Sequence, residues 1–387
     1  MTVLARRQPV SARRVRGIIV SSDDDQHGRN GPELACPFSI ASETIGGLLN
    51  CELADDPHYL GLEVQRFDDA VHGTGLLVFL QRAEGRLYDY YRSPGLLLDR
   101  SSYELGAGIG AWEERDFAPG VLEIDDRGVR CNVAFTDISG RRIEVVVDDR
   151  REEPRRTGRL LAPVGSEIDH PTSLLLVHLH GFDLVHRAAT PPVVRIDGRV
   201  AATGTLPGQQ LHGRELIKYA APLTVITLNP AQEGPLSLLA SGPGRMLNEE
   251  GIRELTAGEG DHRARLALRP SFPDVRSLPD QHERTGRWRV YAAEVPALTG
   301  GTWHVHRDGD EVHIELAVTE PWRPGPLPLL PRLVTTVIPV FRRWPTTYRW
   351  QGTVTLADTP RLSSGWERTG GSDGSYTRAT GAGGATG

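Results

Sequence analysis

With 387 residues, 39% of them hydrophobic and 24% charged, the chain has an ordinary globular composition and exceeds what one hydrophobic core usually organises, so two domains are expected. A net charge of −6 and a pI near 6.1 exclude a general nucleic-acid-binding surface. Cys36, Cys51 and Cys131 are an odd number without Cys-x-x-Cys spacing, which argues against a disulfide framework or a zinc–thiolate site and for a reducing cytoplasm.

Arg6, Arg7, Arg13, Arg14 and Arg16 mark a basic N-terminus with no apolar segment behind it, so residues 1–15 read as a flexible tail and not as a secretory signal. An apolar run opens at 17–20 and is interrupted by Asp23-Asp24-Asp25 and a glycine-containing loop at 28–31. Strand candidates follow at 60–66, 76–81 and 86–91. Residues 121–147 read as a three-strand meander, in which Val129, Cys131, Val133 and Phe135 alternate with polar positions and Ile143, Val145 and Val147 do the same after a Ser139-Gly140 turn.

The charged stretch 150–159 reads either as a linker or as two solvated strand ends around Pro154. Residues 174–185 are apolar on both faces, the pattern of a central strand or of a cavity wall, with a short helix as the alternative. Pro191-Pro192 breaks the chain, and Asp197-Gly198 supplies a hairpin turn. The domain boundary is placed near residue 190, giving domains at 16–190 and 191–368, with the stretch near 155 as the alternative.

Further strands are expected at 223–228, 263–268, 287–295, 333–341 and 347–356. Residues 246–255, with Asn248 as N-cap ahead of Glu249 and Glu250, are the best helix candidate. The clearest hairpin spans 303–318. A two-residue turn at Asp308-Gly309 sets Val305 opposite Val312 and Trp303 opposite Ile314 on one face, with His304 opposite His313 and His306 opposite Glu311 on the other. Residues 324–341 are apolar but interrupted by Pro331, Arg332 and Pro339, and the run is too short to span a bilayer. Residues 369–387 read as a disordered Gly/Ser/Thr-rich tail.

The expected fold is therefore all-β and antiparallel, two barrel or sandwich domains with little helix. In strand count, hairpin order and the run Trp350-Gln351-Gly352-Thr353-Val354-Thr355-Leu356 as a closing strand, residues 16–366 resemble the two-domain lipocalin-like group that includes carotenoid hydratases and natural-product cyclases. The resemblance implies a cavity for an apolar small molecule and chemistry without an organic cofactor. It carries over no catalytic motif residue by residue.

Candidate chemistry starts at His178 and His180, which share a strand face with Leu176 and Phe182 and are weighed as pocket-lining acid–base groups against a satisfied buried pair. Tyr88 and Tyr90 share a face if their segment is a strand, as an aromatic pocket wall or as ordinary cross-strand packing. Lys218 is the only lysine among 44 basic residues. A GC-rich coding sequence accounts for the scarcity, while an amine that arginine cannot replace is the functional reading. His304, His306 and His313, with Glu311 or Glu315, read as a solvated sheet face, and no metal is assigned. Gly106-Ala107-Gly108-Ile109-Gly110 lacks the strand-to-helix context of a dinucleotide or phosphate loop, and no Gly-x-Ser-x-Gly elbow occurs. The functional expectation is an enzyme with no cofactor that cyclises, isomerises or hydrates an apolar polyketide- or isoprenoid-type molecule using His178, His180, Tyr88, Tyr90 and Lys218; the alternative is a carrier for such a ligand.

Overall fold

A computed structural model describes residues 33–369 except 86, 105, 107, 187–190, 205–213, 241–243, 249, 294–295, 324–331, 334 and 337–339. The protein is nearly all β, with antiparallel sheets, one of them curled into a half-barrel, and little helix. The chain first forms β1 (Leu34–Cys36), β2 (Ile40–Ile45), β3 (Gly47–Glu52), β4 (Tyr59–Asp69), β5 (Gly73–Arg82), β6 (Tyr88–Arg92) and β7 (Ile109–Glu114). The expected meander follows as β8 (Gly120–Asp125), β9 (Gly128–Thr136) and β10 (Arg142–Asp148). Next come β11 (Gly158–Ala162), β12 (Leu174–His186), β13 (Val193–Ile196), β14 (Arg199–Val200), β15 (Arg214–Ala220) and β16 (Leu223–Leu228). The remainder is β17 (Gln232–Pro235), β18 (Ser237–Leu239), β19 (Arg245–Asn248), β20 (Gly251–Ala257), β21 (Ala264–Phe272), β22 (Glu283–Ala292), β23 (Thr299–Asp308), β24 (Glu311–Glu320), β25 (Tyr348–Thr355) and β26 (Arg361–Arg368).

A ten-stranded sheet in the order β2-β16-β12-β15-β3-β4-β5-β6-β7, with β11 beside β12, is the centre of the molecule. One of its faces packs on a five-stranded sheet, β14-β13-β10-β9-β8: Leu49, Cys51, Val64, Val78, Tyr91, Ile217 and Tyr219 meet Leu122, Cys131, Val133, Phe135, Ile143 and Val145 in one core. Residues of the opposite face, here the far face, belong to a second core that includes Leu48, Phe67, Leu77 and Tyr90. The same core takes in the tryptophans Trp288, Trp303 and Trp350 of a nine-stranded meander, β17-β26-β25-β24-β23-β22-β21-β20-β19. Alternation along each strand produces both cores at once, since neighbours such as Tyr90 and Tyr91 point to opposite sides. Among the described residues every strand pair is antiparallel except β6 with β7, which is parallel. Residues 187–190 lie outside the described set, and strands from both sides of them (β12 with β15 and β16, β10 with β13) share sheets.

Three neighbouring strand paths turn a corner together: β2 into β3 at Gly46, β12 at Gly181, and β15 into β16 at Ala221-Pro222. Gly181 sits at φ +55°, and a Cβ there would lie 2.7 Å from the carbonyl oxygen of Ala221. Only glycine satisfies both demands cheaply. Gly181→Ala is therefore expected to lower stability by about 2 kcal/mol in urea unfolding; an unchanged midpoint would show that the corner accommodates a side chain.

Several local expectations are corrected. The expected helix at 246–255 is instead taken up by β19 and β20, which pair antiparallel, with Gly251 at φ +135° opposite Asn248 where a cap was expected. The described positions among 333–341 are helical, not extended; Pro339 has no N–H to give a ladder. The 303–318 hairpin exists, but its turn is Gly309-Asp310, with Asp308 opposite Glu311, so Val305 faces Ile314, Trp303 faces Leu316, His304 faces Glu315 and His306 faces His313. Gly309, at φ +59°, takes the first central position of the two-residue turn, as a type II′ geometry requires. The two-residue shift of register leaves each residue on its expected face. By contrast Asp197 and Gly198, at φ 50° and 79°, make the expected hairpin turn. The strand carrying Trp350 is β25, inside the nine-stranded sheet between β24 and β26 and not a closing strand, because β26 continues the meander beyond it. The N-terminal tail, the run at 17–20 and residues 370–387 lie outside the described residues.

Candidate functional site

Cross-strand pairing on the far face of the central sheet lines up six side chains. Lys218 on β15 is opposite Asn50 on β3, Asn50 is opposite Glu63 on β4, Glu63 is opposite Phe79 on β5, Phe79 is opposite Tyr90 on β6, and Tyr90 is opposite Trp112 on β7. Directly opposite residues share a face, so the row spans about 24 Å at the usual inter-strand spacing. One end of it is polar and the other aromatic.

At the aromatic end Tyr90 is the hub, with ring centroids 5.3 Å from Phe79, 5.3 Å from Trp112 and 5.6 Å from Tyr103. Tyr88, one step along the same face, lies 5.9 Å from Phe79 and 6.3 Å from Tyr90. Such tilted and edge-on contacts suit ring quadrupoles. The Tyr90 hydroxyl donates to the carbonyl of Tyr103 at 3.2 Å, and burial pushes the phenol pKa up, so it stays a neutral donor. Phe79, Tyr88, Tyr103 and Trp112 are half-buried and pack against the second core.

At the polar end Glu63 accepts hydrogen bonds from Asn50 Nδ2 at 3.1 Å and Gln65 Nε2 at 2.7 Å. Burial raises its pKa despite those bonds and the nearby Lys218 charge, which pull the other way. A carboxyl so placed is more easily protonated than an ordinary glutamate, the direction that suits a group exchanging protons with a ligand. Lys218 Nζ is paired with Glu52.

The five expected site residues fall into two groups. Tyr88, Tyr90 and Lys218 share the far face, whereas His178 and His180 point from the other side of β12, away from Leu179 and its partners Leu160 and Leu223. β12 is a central strand, as its two apolar faces imply. Its two rings lie 4.6 Å apart. His180 Nε2 is 3.1 Å from Thr224 Oγ1, which is 2.8 Å from Nδ1 of His262, in the connection between β20 and β21. His178 is 2% exposed and its Nδ1 has no hydrogen-bond partner. Burial, then the neighbouring ring of His180 and the charge of Arg159, push His178 down to about 3; burial, His262 and Arg159 take His180 down to about 4 against the opposing pull of Asp261. Both rings are neutral at pH 7, and the cluster ties the central sheet to the nine-stranded sheet.

His304 and His313 are 44% and 49% exposed at the side chain and contact Glu283 and Glu311, a solvated sheet face. Among the described residues no group of three or more His, Cys, Asp or Glu is arranged to hold a metal ion. The three cysteines are free and buried, and burial pushes Cys36 and Cys131 up to about 12. No described helix is long and apolar enough to cross a membrane. Asn50, Glu52, Glu63, Gln65, Phe79, Thr224 and His262 are among the members of these two clusters that sequence reasoning passed over. Period-two alternation in the strand expected at 60–66 already put Glu63 and Gln65 on one face, and that signal was the available one.

Comparison with protein-family models, with curated proteins and with solved structures finds no match for this chain.

Proposed function

We propose that the protein binds an apolar small molecule, of polyketide or isoprenoid type, along the far face of the central sheet and catalyses its isomerisation, cyclisation or hydration without an organic cofactor. The observation that carries this reading is the row Lys218–Asn50–Glu63–Phe79–Tyr90–Trp112, in which aromatic rings, Phe79 and Trp112 half-buried and Tyr90 buried, adjoin a carboxyl of raised pKa. In an isomerisation Glu63 takes a proton from one carbon and returns it to another, so no redox partner is required. Asn50 and Lys218 stand one and two strands from Glu63, where their N–H groups can stabilise charge developing on a substrate oxygen. The lipocalin-like resemblance belongs to the same proposal, since that group pairs an apolar cavity with chemistry of this kind. A carrier without turnover is the second reading, favoured by the engagement of Glu63 with Asn50 and Gln65 and of Lys218 with Glu52.

The binding part is tested with 8-anilinonaphthalene-1-sulfonate. It should bind with energy transfer that Trp112→Phe reduces, and Tyr90→Ala should weaken it about tenfold, near the upper worth of one aromatic contact. Probe binding insensitive to both substitutions would remove the ligand from this face. Chromatography of molecules extracted from the wild type and from Glu63→Gln separates the two readings: different species indicate turnover, and the same species indicates a carrier.

A further inference from the structure

We infer that Gln65 selects the ligand of the far face for a hydroxyl group, so that the ligand is a phenol or an enol and not merely an apolar molecule. The inference rests on the binding face proposed above and adds its specificity. Gln65 is 8% exposed; its Nε2 donates to Glu63, while its Oε1 is buried and has no hydrogen-bond partner. Turning the amide over does not help. It would set the carbonyl against a carboxylate that already accepts from Asn50, and would leave the NH2 group unpartnered instead.

Buried polar atoms are nearly always satisfied, so an acceptor left alone beside a titratable carboxyl calls for a donor from outside the sheet. The cross-strand partners of Gln65 are Leu48 and Leu77, which have no side-chain donor to offer. The row through Glu63, Phe79 and Tyr90 runs alongside, two residues away on the same strand face. A flat apolar ligand with an O–H at its edge meets these groups together: its ring lies against half-buried Phe79, its hydroxyl donates to Gln65 Oε1, and its oxygen is adjacent to Glu63. An ether or a simple ketone of the same shape has no proton to give and leaves Oε1 unsatisfied. Discrimination by a buried acceptor of this type is sharper than discrimination by apolar contact.

The test compares 2-naphthol with 2-methoxynaphthalene on the full chain by isothermal titration calorimetry. The wild type is expected to bind 2-naphthol about tenfold more tightly, the net worth of one hydrogen bond. Gln65→Leu should bring the two affinities to within about twofold while leaving 2-methoxynaphthalene unchanged. Gln65→Met, equally apolar and more adaptable, serves in its place if the leucine variant loses the native circular-dichroism spectrum. Equal affinities in the wild type, or a preference that survives loss of the amide, would overturn the hydroxyl inference while leaving the binding face standing. Failure of both naphthalenes to bind the wild type would bring down the face and the inference together.

Discussion

Replacing Arg155 by leucine is expected to lower the unfolding free energy by about 3–5 kcal/mol, the range for removing one partner of a buried ion pair. The guanidinium is 4% exposed, and so is the carboxylate of Asp149, 2.8 Å away; Asp183, 6% exposed, is 3.4 Å from the same nitrogen. Tyr219 OH accepts from Arg155 Nη1 at 2.8 Å, and the carbonyl of Arg127 accepts from Nε at 2.9 Å. Burial alone would lower the arginine pKa, but the hydrogen bond to Asp149 and the charges around it hold it above its ordinary value. Without the guanidinium, two buried carboxylates, Asp149 and Asp183, lose their counter-charge, and protonating them or admitting water is costly. Arg150→Leu, at an exposed arginine five residues earlier, is the control and should leave the urea midpoint where it is. Equal midpoints for the two variants, followed by tryptophan fluorescence, would show that the Arg155 network contributes nothing to stability.

That contrast between Arg150 and Arg155 marks where the sequence stops being informative. Within 150–159 the arginines look alike, and neither the linker nor the strand-end reading reveals that Arg155 is a strut between the central sheet and the five-stranded sheet. Its partners Asp149, Asp183 and Tyr219 come from three separate parts of the chain, and no local pattern encodes that meeting. Alternation, by contrast, is local. It placed β4, β5, β9, β10, β12 and β16, because each buries one or both faces in a regular period. β2 was missed because Ala41, Ser42, Glu43 and Thr44 present only a weak apolar stripe. The candidate site was half-legible for the same reason. Tyr88, Tyr90 and Lys218 could be picked out by type, but the row joining them depends on the register of four strand pairs, and grouping them with His178 and His180 required knowing which side of β12 those rings occupy.

Acidification is the second large effect, and the two histidines of β12 dominate its upper range. In the folded protein His178 and His180 titrate at about 3 and about 4, below the ordinary value near 6.5 that the unfolded chain restores. The unfolded state therefore binds protons first. The stability carried by the neutral rings is complete above about pH 6.5 and is lost as the pH falls from there toward about 3. One proton taken up on unfolding gives a slope of about 1.4 kcal/mol per pH unit, which His178 supplies almost in full, while half-buried His180 adds a smaller, solvent-screened share. The groups facing the pair are Arg159, Thr224, Asp261 and His262; of these the positive Arg159 and the His262 ring disfavour a second charge, and Asp261 alone opposes them. Asp137 acts in a different window. Burial raises its pKa, but hydrogen bonds from Arg141 and Tyr59 outweigh that and hold the carboxyl below its ordinary value, so its contribution persists above about pH 3.9 and falls away only below it. Urea unfolding at intervals between pH 5 and 7 should thus show stability rising with pH in the wild type, and His178→Gln should remove most of that slope, since glutamine fills the same space without titrating. A His178→Gln variant with the wild-type slope would mean that the ring is not held neutral by its burial against the nine-stranded sheet, and that acid sensitivity in this range arises elsewhere in the molecule.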